Sequence, residues 1–319
     1  MPVSILPQAR GADALEIALV NNMPDQALEA TRRQFAQLAS AAAAGVPFRL
    51  SCYALASVPR SETGRRALAQ SYEDIEALYA RGADALIVTG TEPRAESLDQ
   101  EPYWDDFARL VDWALTHTLG ALWSCLGAHA AVQRLDGIRR RRLDAKLSGI
   151  FKCEILGPDW ANEGAAGAIV APHSRYNGLP LQDLENCGYN ISSWSPAVGA
   201  DNFWRREPSL FLFTQGHPEY DADTLAREFR RDVLRYLTGE RRGFPEPPEN
   251  YFSAAAETQL AELRRKPQGS SRAAFAEKLH AVLAAEPLAN HWADDAARLY
   301  RNWFADIAQE KRRRFLSAS

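Results

Sequence analysis

Three side chains in this sequence have the types and the spacing of a nucleophilic catalytic triad, and the first of them is Cys125. It stands in the stretch ALWSCLGAHAAV, where an apolar strand pattern ends and a helical pattern begins. A cysteine at a helix N-terminus is favoured as the thiolate, because the helix dipole and the unpaired backbone N–H groups lower its pKa. The backbone N–H of Leu126 is then placed to donate to an oxyanion. The stretch by itself leaves open a small buried cysteine without chemistry.

The other two side chains, His217 and Glu219, lie in the stretch LFLFTQGHPEYD, after another apolar strand pattern. A histidine that acts as a base needs a partner that fixes its tautomer and stabilises the imidazolium, and a carboxylate two residues away can serve. A lone histidine after a strand is more often structural. Because both motifs follow strands of one predicted sheet, they can converge, and the sequence predicts a Cys–His–Glu triad.

Alternating strand and helix patterns must position this triad. Short apolar runs bounded by turn residues are typical of strands buried on both faces of a parallel sheet. We therefore predict an α/β fold with a doubly wound, mostly parallel sheet flanked by helices, whose reactive groups lie at the carboxyl ends of the strands. The predicted strands cover residues 15–20, 85–89, 121–124, 168–170 and 210–214, and the predicted helices cover residues 27–42, 104–114, 126–135 and 224–237.

The character of the chain changes after Gly239. The stretch RRGFPEPPENYF at residues 241–252 is rich in proline and charge, which indicates a linker or an extended crossing segment. We predict a catalytic α/β domain over residues 1–252 and a helical C-terminal extension over residues 253–319 that packs on it. The last helix carries aromatic side chains that are expected in the core or in a dimer interface, namely Trp292, Tyr300, Trp303 and Phe304.

Composition and charge exclude several classes of protein. The chain of 319 residues is 46% hydrophobic and 24% charged, which is ordinary for a globular protein. A net charge of −4 and a pI near 5.9 argue against nucleic-acid binding. No apolar run approaches the roughly 20 residues of a membrane helix and the N-terminus lacks a signal-peptide pattern, so a cytoplasmic protein is expected. The widely spaced cysteines form no C-x-x-C pair, so neither a metal site nor a bound cofactor is expected.

The two triad motifs, in this order and spacing, resemble the class I glutamine amidotransferase-like fold. Within that fold the chain is similar to the homoserine O-acyltransferase family of methionine biosynthesis (the homoserine O-succinyltransferases) over about residues 15–252. The resemblance rests on NNMPDQALEATRRQF, ALIVTG, YWDDF, KLSG, APHSRY, GHPEYDADTLAREFRRD and NYF. It implies a homodimer in which Cys125 takes an acyl group from acyl-CoA and passes it to the hydroxyl of homoserine. His217 is then the base and Glu219 the acid that orients it.

The resemblance also implies a set of substrate-binding residues. Lys146 of KLSG matches a lysine near the acyl oxyanion and the substrate. Ser174 and Arg175 of APHSRY, and Arg231 after GHPEYD, match positions associated with the amino acid substrate. Homoserine is a zwitterion, and an arginine can hold its carboxylate with two parallel hydrogen bonds. Without the resemblance, Arg231 would be interpreted as a solvated charge on a helix.

The loop TEPRAESLDQEPYW after Gly90 bears on the identity of the acyl group. The resemblance implies that backbone N–H groups at Thr91 and Glu92 provide the second oxyanion donor. At the position of Arg94, a glutamate accompanies acetyl transfer in the family and a glycine accompanies succinyl transfer. An arginine there can pair with the distal carboxylate of succinyl-CoA, so we predict succinyl transfer. The rival arrangement has Arg94 in solvent and Glu92 in the acyl pocket.

Departures from the family's pattern leave alternatives open. Asp25 and Gln26 replace a lysine pair that often follows the MP dipeptide, and Leu126 replaces an aromatic residue. L-Serine as the acceptor, or acetyl-CoA as the donor, keeps the same chemistry. A glutamine amidotransferase or γ-glutamyl hydrolase commonly shows G-x-C-x-G, whereas Trp123 occupies the first glycine position here. A non-catalytic, regulatory member of the fold is disfavoured because the triad is intact.

A basic run stands out in this acidic chain, with four consecutive arginines from Arg139 to Arg142 in the stretch GIRRRRLDAK. Contact with the phosphates of CoA would explain it. A solvated loop is the simpler interpretation, and we favour it from the sequence.

Overall fold

The computed structural model describes residues 14–265 and 271–318. Its strands are β1 (Leu15–Val20), β2 (Phe48–Ala54), β3 (Glu73–Asp74), β4 (Ala85–Thr89), β5 (Gly120–Ser124), β6 (Arg141–Ile155), β7 (Ala168–Gly178), β8 (Asn190–Ile191), β9 (Ser193–Ser195), β10 (Gly199–Ala200), β11 (Asn202–Arg206) and β12 (Leu210–Thr214). Its α-helices are α1 (Leu28–Ala42), α2 (Glu62–Ser71), α3 (Ile75–Arg81), α4 (Trp104–His117), α5 (Leu126–Asp136), α6 (Leu181–Asn186), α7 (Thr224–Leu237), α8 (Ala254–Arg265), α9 (Arg272–Ala285) and α10 (Ala293–Ala318).

An eight-stranded sheet forms the centre of the molecule, in the order β3-β2-β1-β4-β5-β12-β11-β8. Strands β3 to β12 of this order are parallel, and β11 and β8 add an antiparallel edge. Parallel strands require crossover helices on the sheet faces, which is why the central strands are apolar on both sides. The predicted class, a doubly wound and mostly parallel α/β sheet flanked by helices, is confirmed.

A second, antiparallel sheet in the order β10-β9-β6-β7 lies outside this core. The sequence-based prediction that residues 168–170 form a strand of the parallel sheet is therefore wrong, since they open β7, which pairs with β6. The expected solvated loop at Arg139 to Arg142 is also only partly correct. Arg141 and Arg142 begin β6, and Arg140 turns inward and donates to the carbonyls of Ala95 and Glu96.

The two faces of the central sheet are covered by different helices. Alternate residues of β4 point to opposite faces, so Leu86 and Val88 join a core with α4 and α5, whereas Ala85 and Ile87 join a core with α1 and α10. Each fully buried aliphatic side chain contributes roughly 1.5–3 kcal/mol through removal from water. The apolar pattern of the strands thus fixes the sheet between two helical layers.

The C-terminal helices pack on the same framework. Helices α8 and α9 cover the outer side of α7, where Phe229, Leu260 and Phe275 belong to one cluster. Helix α10 instead lies against the central sheet. Trp292, just before this helix, and three aromatic side chains within it are at most 1% exposed and belong to the core, namely Tyr300, Trp303 and Phe304. The division at residue 252 stays a prediction. Within the described residues, no helix has the combination of length and apolarity that crossing a membrane requires.

Candidate active site

Cys125 occupies a strained bend between β5 and α5. Its backbone has φ +47° and ψ −108°, a conformation that L-residues rarely adopt and that clusters at functional sites. The bend is held because the Cys125 N–H donates to Thr214 O at 2.7 Å. A Cβ on Gly127 would lie 2.8 Å from Val88 O, so only glycine lets the start of α5 approach β4 this closely. The sequence predicted this strand–cysteine–helix bend correctly.

His217 and Glu219 follow β12, the strand next to β5. Thr214 pairs with Ser124 in parallel register, so the residues after both strands emerge at the same edge of the sheet. His217 Nδ1 lies 2.9 Å from Glu219 Oε1, and both side chains are buried. The carboxylate fixes the tautomer of His217 that carries the proton on Nδ1. The His217 side chain also forms a hydrogen bond with Cys125. The structure therefore brings the predicted cysteine, histidine and glutamate together.

The charge state of His217 depends on two neighbouring anions. Burial alone would lower the pKa of His217, but the Cys125 thiolate and the Glu219 carboxylate together raise that pKa well above its usual value. The ring also stacks on Tyr220, with 4.2 Å between the ring centroids. This arrangement places the imidazole between the cysteine and the carboxylate, where it can take the proton of Cys125 and hold it as an imidazolium.

The side chain of Gln215 ties the turn that carries His217 to the helix that follows Cys125. Gln215 Oε1 accepts from Leu179 N at 3.1 Å and lies 2.9 Å from His129 Nε2 on α5. Burial lowers the pKa of His129 to about 3, so His129 is neutral and Nε2 carries the proton. The two halves of the triad are thus cross-linked behind the reactive atoms by uncharged hydrogen bonds.

A buried polar pair supports the same turn from the second sheet. His173 Nε2 lies 3.2 Å from Asp201 Oδ1, and both residues are at most 1% exposed. The His217 N–H donates to Pro172 O at 2.8 Å, next to His173. The His217 turn therefore packs on β7 and on a buried histidine–carboxylate pair.

Gly216 makes this close packing possible, which leads to a testable expectation. A Cβ at Gly216 would lie 2.7 Å from Asp201 Oδ1 and 3.1 Å from His173 Nε2. We expect Gly216→Ala to displace the His217 turn, to lower kcat at least tenfold and to cost about 1–3 kcal/mol of stability. Steady-state kinetics and thermal unfolding measure both effects. Gly243→Ala is the control, because a Cβ there meets nothing within 4 Å, and equal behaviour of the two variants would contradict the argument.

Arg175 lies behind the triad, and its side chain is committed to the protein. Nη1 donates to Asn177 O at 2.6 Å, Nη2 donates to Val198 O, and Nε donates to His173 Nδ1 at 3.4 Å. The residue is 5% exposed, and burial lowers its pKa. This geometry favours a structural role for Arg175 over the predicted contact with the amino acid substrate.

The same hydrogen bond bears on a possible cation site. One ligand atom from each of Cys153, His173 and Asp201 lies within 4.8 Å of the others, in the buried space beside Gly216. Because His173 Nδ1 accepts from Arg175, the proton of the neutral ring resides on Nε2, which leaves no lone pair there for a metal. Burial also raises the pKa of the Cys153 thiol. The donor set fits a neutral histidine that carries its proton on Nε2, next to a carboxylate, and not a metal centre.

A polar pocket continues outward from His217 along α7 and β6. The Tyr220 hydroxyl, beneath His217, donates to Glu228 Oε1 at 2.9 Å, and the Ser174 hydroxyl donates to the other carboxylate oxygen. Lys146 Nζ lies 3.6 Å from Glu228 Oε2 and 2.9 Å from Asp232 Oδ2. Although burial raises the pKa of Glu228, Lys146 and the Ser174 hydroxyl lower it overall. The predicted Lys146 and Ser174 thus meet around a charged carboxylate.

Two carboxylates of this pocket, Glu228 and Asp232, were not predicted from the sequence. Their spacing of four residues on the α7 pattern places both on one helix face, which is the signal that could have identified them. Arg231 is half exposed, and its guanidinium donates to Asp232 Oδ1 at 3.0 Å, so it borders the pocket. The pocket therefore combines two carboxylates with two predicted cations.

The loop after β4 passes beside the cysteine bend. Thr89 pairs with Ser124, so the following Thr91 and Glu92 run next to Cys125 and the Leu126 N–H. Thr91 is buried, whereas Glu92 is exposed and lies 3.6 Å from Arg235 Nη1. This adjacency suits the predicted pair of oxyanion donors, which stays a prediction.

Arg94 lies farther along the same loop. Its backbone N–H donates to Glu101 Oε1, and its side chain is exposed. Neither Arg94 nor the exposed Glu92 fills a closed acyl pocket in this structure. The structure therefore leaves the predicted pairing of Arg94 with an acyl carboxylate as a prediction.

A parallel sheet with a cysteine bend after one strand and a histidine–carboxylate pair after the next has the class I glutamine amidotransferase-like fold. Two solved structures share this fold. A glutamine amidotransferase from Methylobacillus flagellatus has a TM-score of 0.53 at 13% identity and covers 92% of this chain and 95% of its own. A second glutamine amidotransferase, from Thermotoga maritima, has a TM-score of 0.50 at 12% identity. The match covers 85% of this chain and 99% of that structure's chain.

Sequence similarity narrows the class, and the chain belongs to the homoserine O-succinyltransferase family. The model of that family matches residues 7–313. A homoserine O-succinyltransferase from Rhodopseudomonas palustris is 44% identical over 303 residues, which is 95% of this chain and 91% of the relative. A homoserine O-succinyltransferase from Bradyrhizobium japonicum is 45% identical over 303 residues, which is 94% of this chain and 92% of the relative. The resemblance stated from the motifs is confirmed, and the chain is an enzyme of this type.

Proposed function

We propose that this protein transfers the succinyl group of succinyl-CoA to the hydroxyl of L-homoserine through a thioester on Cys125, as a step in methionine biosynthesis. The observation that carries the proposal is the strained Cys125 next to the buried His217–Glu219 pair. The names of the relatives supply the donor and the acceptor. A homodimer in the cytoplasm is part of the same proposal, on the basis of the family resemblance.

The first half-reaction forms the thioester. The Cys125 thiolate attacks the acyl carbonyl of succinyl-CoA, and the backbone N–H groups of Leu126 and the Thr91–Glu92 loop hold the oxyanion. The C–S bond to CoA breaks as the tetrahedral species collapses, and His217 gives its proton to the departing CoA sulfur. The site then holds a succinyl thioester on Cys125 and a neutral His217.

The second half-reaction releases the product. Neutral His217 takes the proton of the acceptor hydroxyl, whose oxygen attacks the thioester carbonyl. The bond between carbon and Cys125 Sγ breaks, so that the thiolate and the imidazolium are restored. The order of events is ping-pong, with CoA leaving before the acceptor reacts.

The acceptor assay tests this function directly. Protein, succinyl-CoA and L-homoserine should release CoA and form O-succinylhomoserine, detected by thiol titration and mass spectrometry. If kcat/KM with L-serine equals or exceeds that with L-homoserine, the acceptor is L-serine instead. If kcat/KM with acetyl-CoA equals or exceeds that with succinyl-CoA, the donor is acetyl-CoA instead. Glutamine hydrolysis without acyl-CoA turnover would establish an amidotransferase instead.

Glu228 and Arg231 suit the two ends of a zwitterionic acceptor. We propose that Glu228 binds the α-ammonium group and that Arg231, half exposed at the rim, binds the α-carboxylate with Lys146 and Ser174 completing the pocket. A hydrogen bond to a charged group contributes about 1.5–3 kcal/mol.

The Glu228→Gln variant tests this assignment. We expect KM for L-homoserine to rise about 10- to 100-fold, while the rate of Cys125 acylation by succinyl-CoA stays within about twofold. Separate measurement of the two half-reactions provides the readout. Glu240→Gln, an exposed carboxylate beyond the end of α7, is the matched control. A slower acylation with unchanged KM for the acceptor would rule out the assignment.

Arg94 is our candidate for the residue that determines the specificity for the acyl group. We propose that its guanidinium pairs with the distal carboxylate of succinyl-CoA when the donor is bound. Replacing Arg94 with glutamate should then lower kcat/KM for succinyl-CoA about tenfold or more and leave acetyl-CoA less affected. Competition assays with both donors measure the ratio, and Glu96→Gln in the same loop is the control. An unchanged donor preference in Arg94→Glu would end the proposal.

A further inference from the structure

We propose that Arg142, Tyr176 and Arg241 form a binding site for the phosphorylated adenosine end of the acyl-CoA donor. The ligand class is a 3′-phosphorylated adenosine diphosphate, which offers a planar base and several phosphate charges. The proposal rests on the proposed function, because it assigns the part of the donor that lies far from the thioester.

The three side chains already form one assembly around the Tyr176 ring. The Arg142 guanidinium carbon lies 4.7 Å from the ring centroid. Arg241 Nη1 donates to the Tyr176 hydroxyl at 2.7 Å. Arg142 is exposed, and Tyr176 and Arg241 are half exposed, with 28% exposure for the Arg241 side chain. Lys146 Nζ also lies 6.0 Å from the ring centroid. An aromatic ring with one guanidinium over its face and another at its hydroxyl is a platform near which a base can stack and phosphates can be held.

Charge at this assembly is incompletely neutralised. Among the residues that the structure describes, Arg142 forms no ion pair. The nearest carboxylate oxygen to Arg241 belongs to Asp232 at 3.9 Å. That same carboxylate already binds Lys146 at 2.9 Å and Arg231 at 3.0 Å, and Glu228 lies 3.6 Å from Lys146, so Lys146, Arg231 and Arg241 share two carboxylates. A protein with an overall charge of −4 therefore presents a local cationic surface that suits a phosphate group.

The position of Tyr176 on β7 connects it to the catalytic turn. Successive side chains of a strand alternate between faces, so Pro172, Ser174 and Tyr176 share one face. Ser174 on this face reaches Glu228 of the inner pocket, and the carbonyl of Pro172 accepts from the His217 N–H. Four strand residues span at most about 13 Å, which limits the distance along β7 from Pro172, the residue that the His217 N–H contacts, to Tyr176.

The donor has the right length for this path. Its pantetheine arm separates the sulfur from the first phosphate by roughly 16 Å when extended, counted from standard bond lengths. A thioester carbonyl at Cys125 therefore places the phosphates near Tyr176 and the two arginines. Since CoA departs before the acceptor reacts, the donor and the acceptor can occupy the space along β7 between Tyr176 and the His217 turn one after the other. The basic run that the sequence analysis assigned to a solvated loop thereby supplies one residue, Arg142, to the donor site.

A donor that lacks the nucleotide distinguishes an effect on nucleotide binding from an effect on acyl transfer. We expect Arg142→Ala and Arg241→Ala each to raise KM for succinyl-CoA about five- to tenfold, with kcat changed less than twofold. Succinyl-N-acetylcysteamine carries the same thioester but no nucleotide, and its kcat/KM should be unchanged in both variants. Tyr176→Leu should behave like the arginine variants. Arg66→Ala removes an exposed arginine of α2 and is the control.

Direct binding provides a second readout. Calorimetry with adenosine 3′,5′-bisphosphate should show binding to the wild type that weakens at least fivefold in Arg142→Ala. An equal loss of kcat/KM with succinyl-CoA and with succinyl-N-acetylcysteamine would overturn the proposal. Unchanged binding of the bisphosphate in the variants would also overturn it. If the wild type binds the bisphosphate through Arg142 but does not turn over succinyl-CoA, the proposed function fails while the nucleotide site stands.

Discussion

Replacing Cys125 with alanine should abolish acyl transfer, with kcat reduced by a factor of at least about 10⁴. The reason is that no other thiol shares the position of Cys125 at the carboxyl edge of the sheet. Burial raises the pKa of Cys52 to about 11 and raises that of Cys153 as well, so both are held as neutral thiols. Incubation with succinyl-CoA alone, followed by mass spectrometry, should show one succinyl group on Cys125 of the wild type and none on Cys125→Ala.

The control for this experiment is Cys187→Ala. Cys187 is a free thiol of intermediate exposure, like Cys125, but it lies at the end of α6. The Cys187→Ala variant should acquire the adduct and turn over at the wild-type rate. Full activity of Cys125→Ala, or an adduct on a different cysteine in the wild type, would remove the thioester mechanism.

Glu219→Gln is the second change with a large expected effect, a loss of about 10²- to 10⁴-fold in kcat. The carboxylate holds His217 Nδ1 at 2.9 Å and stabilises the imidazolium. An amide presents either end to the ring and carries no charge, so the pKa of His217 falls and the correct tautomer is no longer fixed. The loss should appear in both half-reactions. Asp223→Asn, an exposed carboxylate just after the same turn, is the control, and a fall of less than tenfold in Glu219→Gln would show that Glu219 does not orient the base.

The pH dependence follows from the same pair, with a definite sign. In the resting site, the Cys125 thiolate and Glu219 both raise the pKa of His217 against the effect of burial. Acylation removes the thiolate charge, so the pKa of His217 should fall in the thioester and leave a neutral base for the acceptor. Titration of the imidazole by NMR should give a lower pKa in Cys125→Ala, which lacks the charge, than in the wild type. A higher pKa in the variant would contradict the coupling.

The parts of the site that the sequence predicted are those encoded locally. The bend at Cys125 is a strand, a cysteine and a helix in direct succession, and the His217–Glu219 pair spans three residues. Their convergence required only that both strands belong to one parallel sheet. The same local reasoning correctly predicted β1, β4 and β12 from apolar runs.

Other features could not be read locally because they depend on contacts between distant segments. In strand β2 only Phe48 and Tyr53 are buried, and the strand lacks a continuous apolar run, so it was missed. Arg175 was assigned to substrate from its motif, but carbonyls at Val198 and Asn177 occupy its guanidinium. Glu228 becomes a site residue only when α7 brings it over Ser174 of the second sheet.

The burial of α10 has a consequence for how this protein is made. One face of the central sheet, including Leu19 and Ile87, is covered by Tyr300, Trp303 and neighbouring side chains near the end of the chain. At about 5–20 residues per second, a ribosome needs on the order of ten seconds to proceed from β5 to α10. During that interval α1 can already pack on part of this face, whereas the part that α10 covers stays exposed. The apolar side chains that α10 covers are therefore buried only after that helix has been synthesised and has docked.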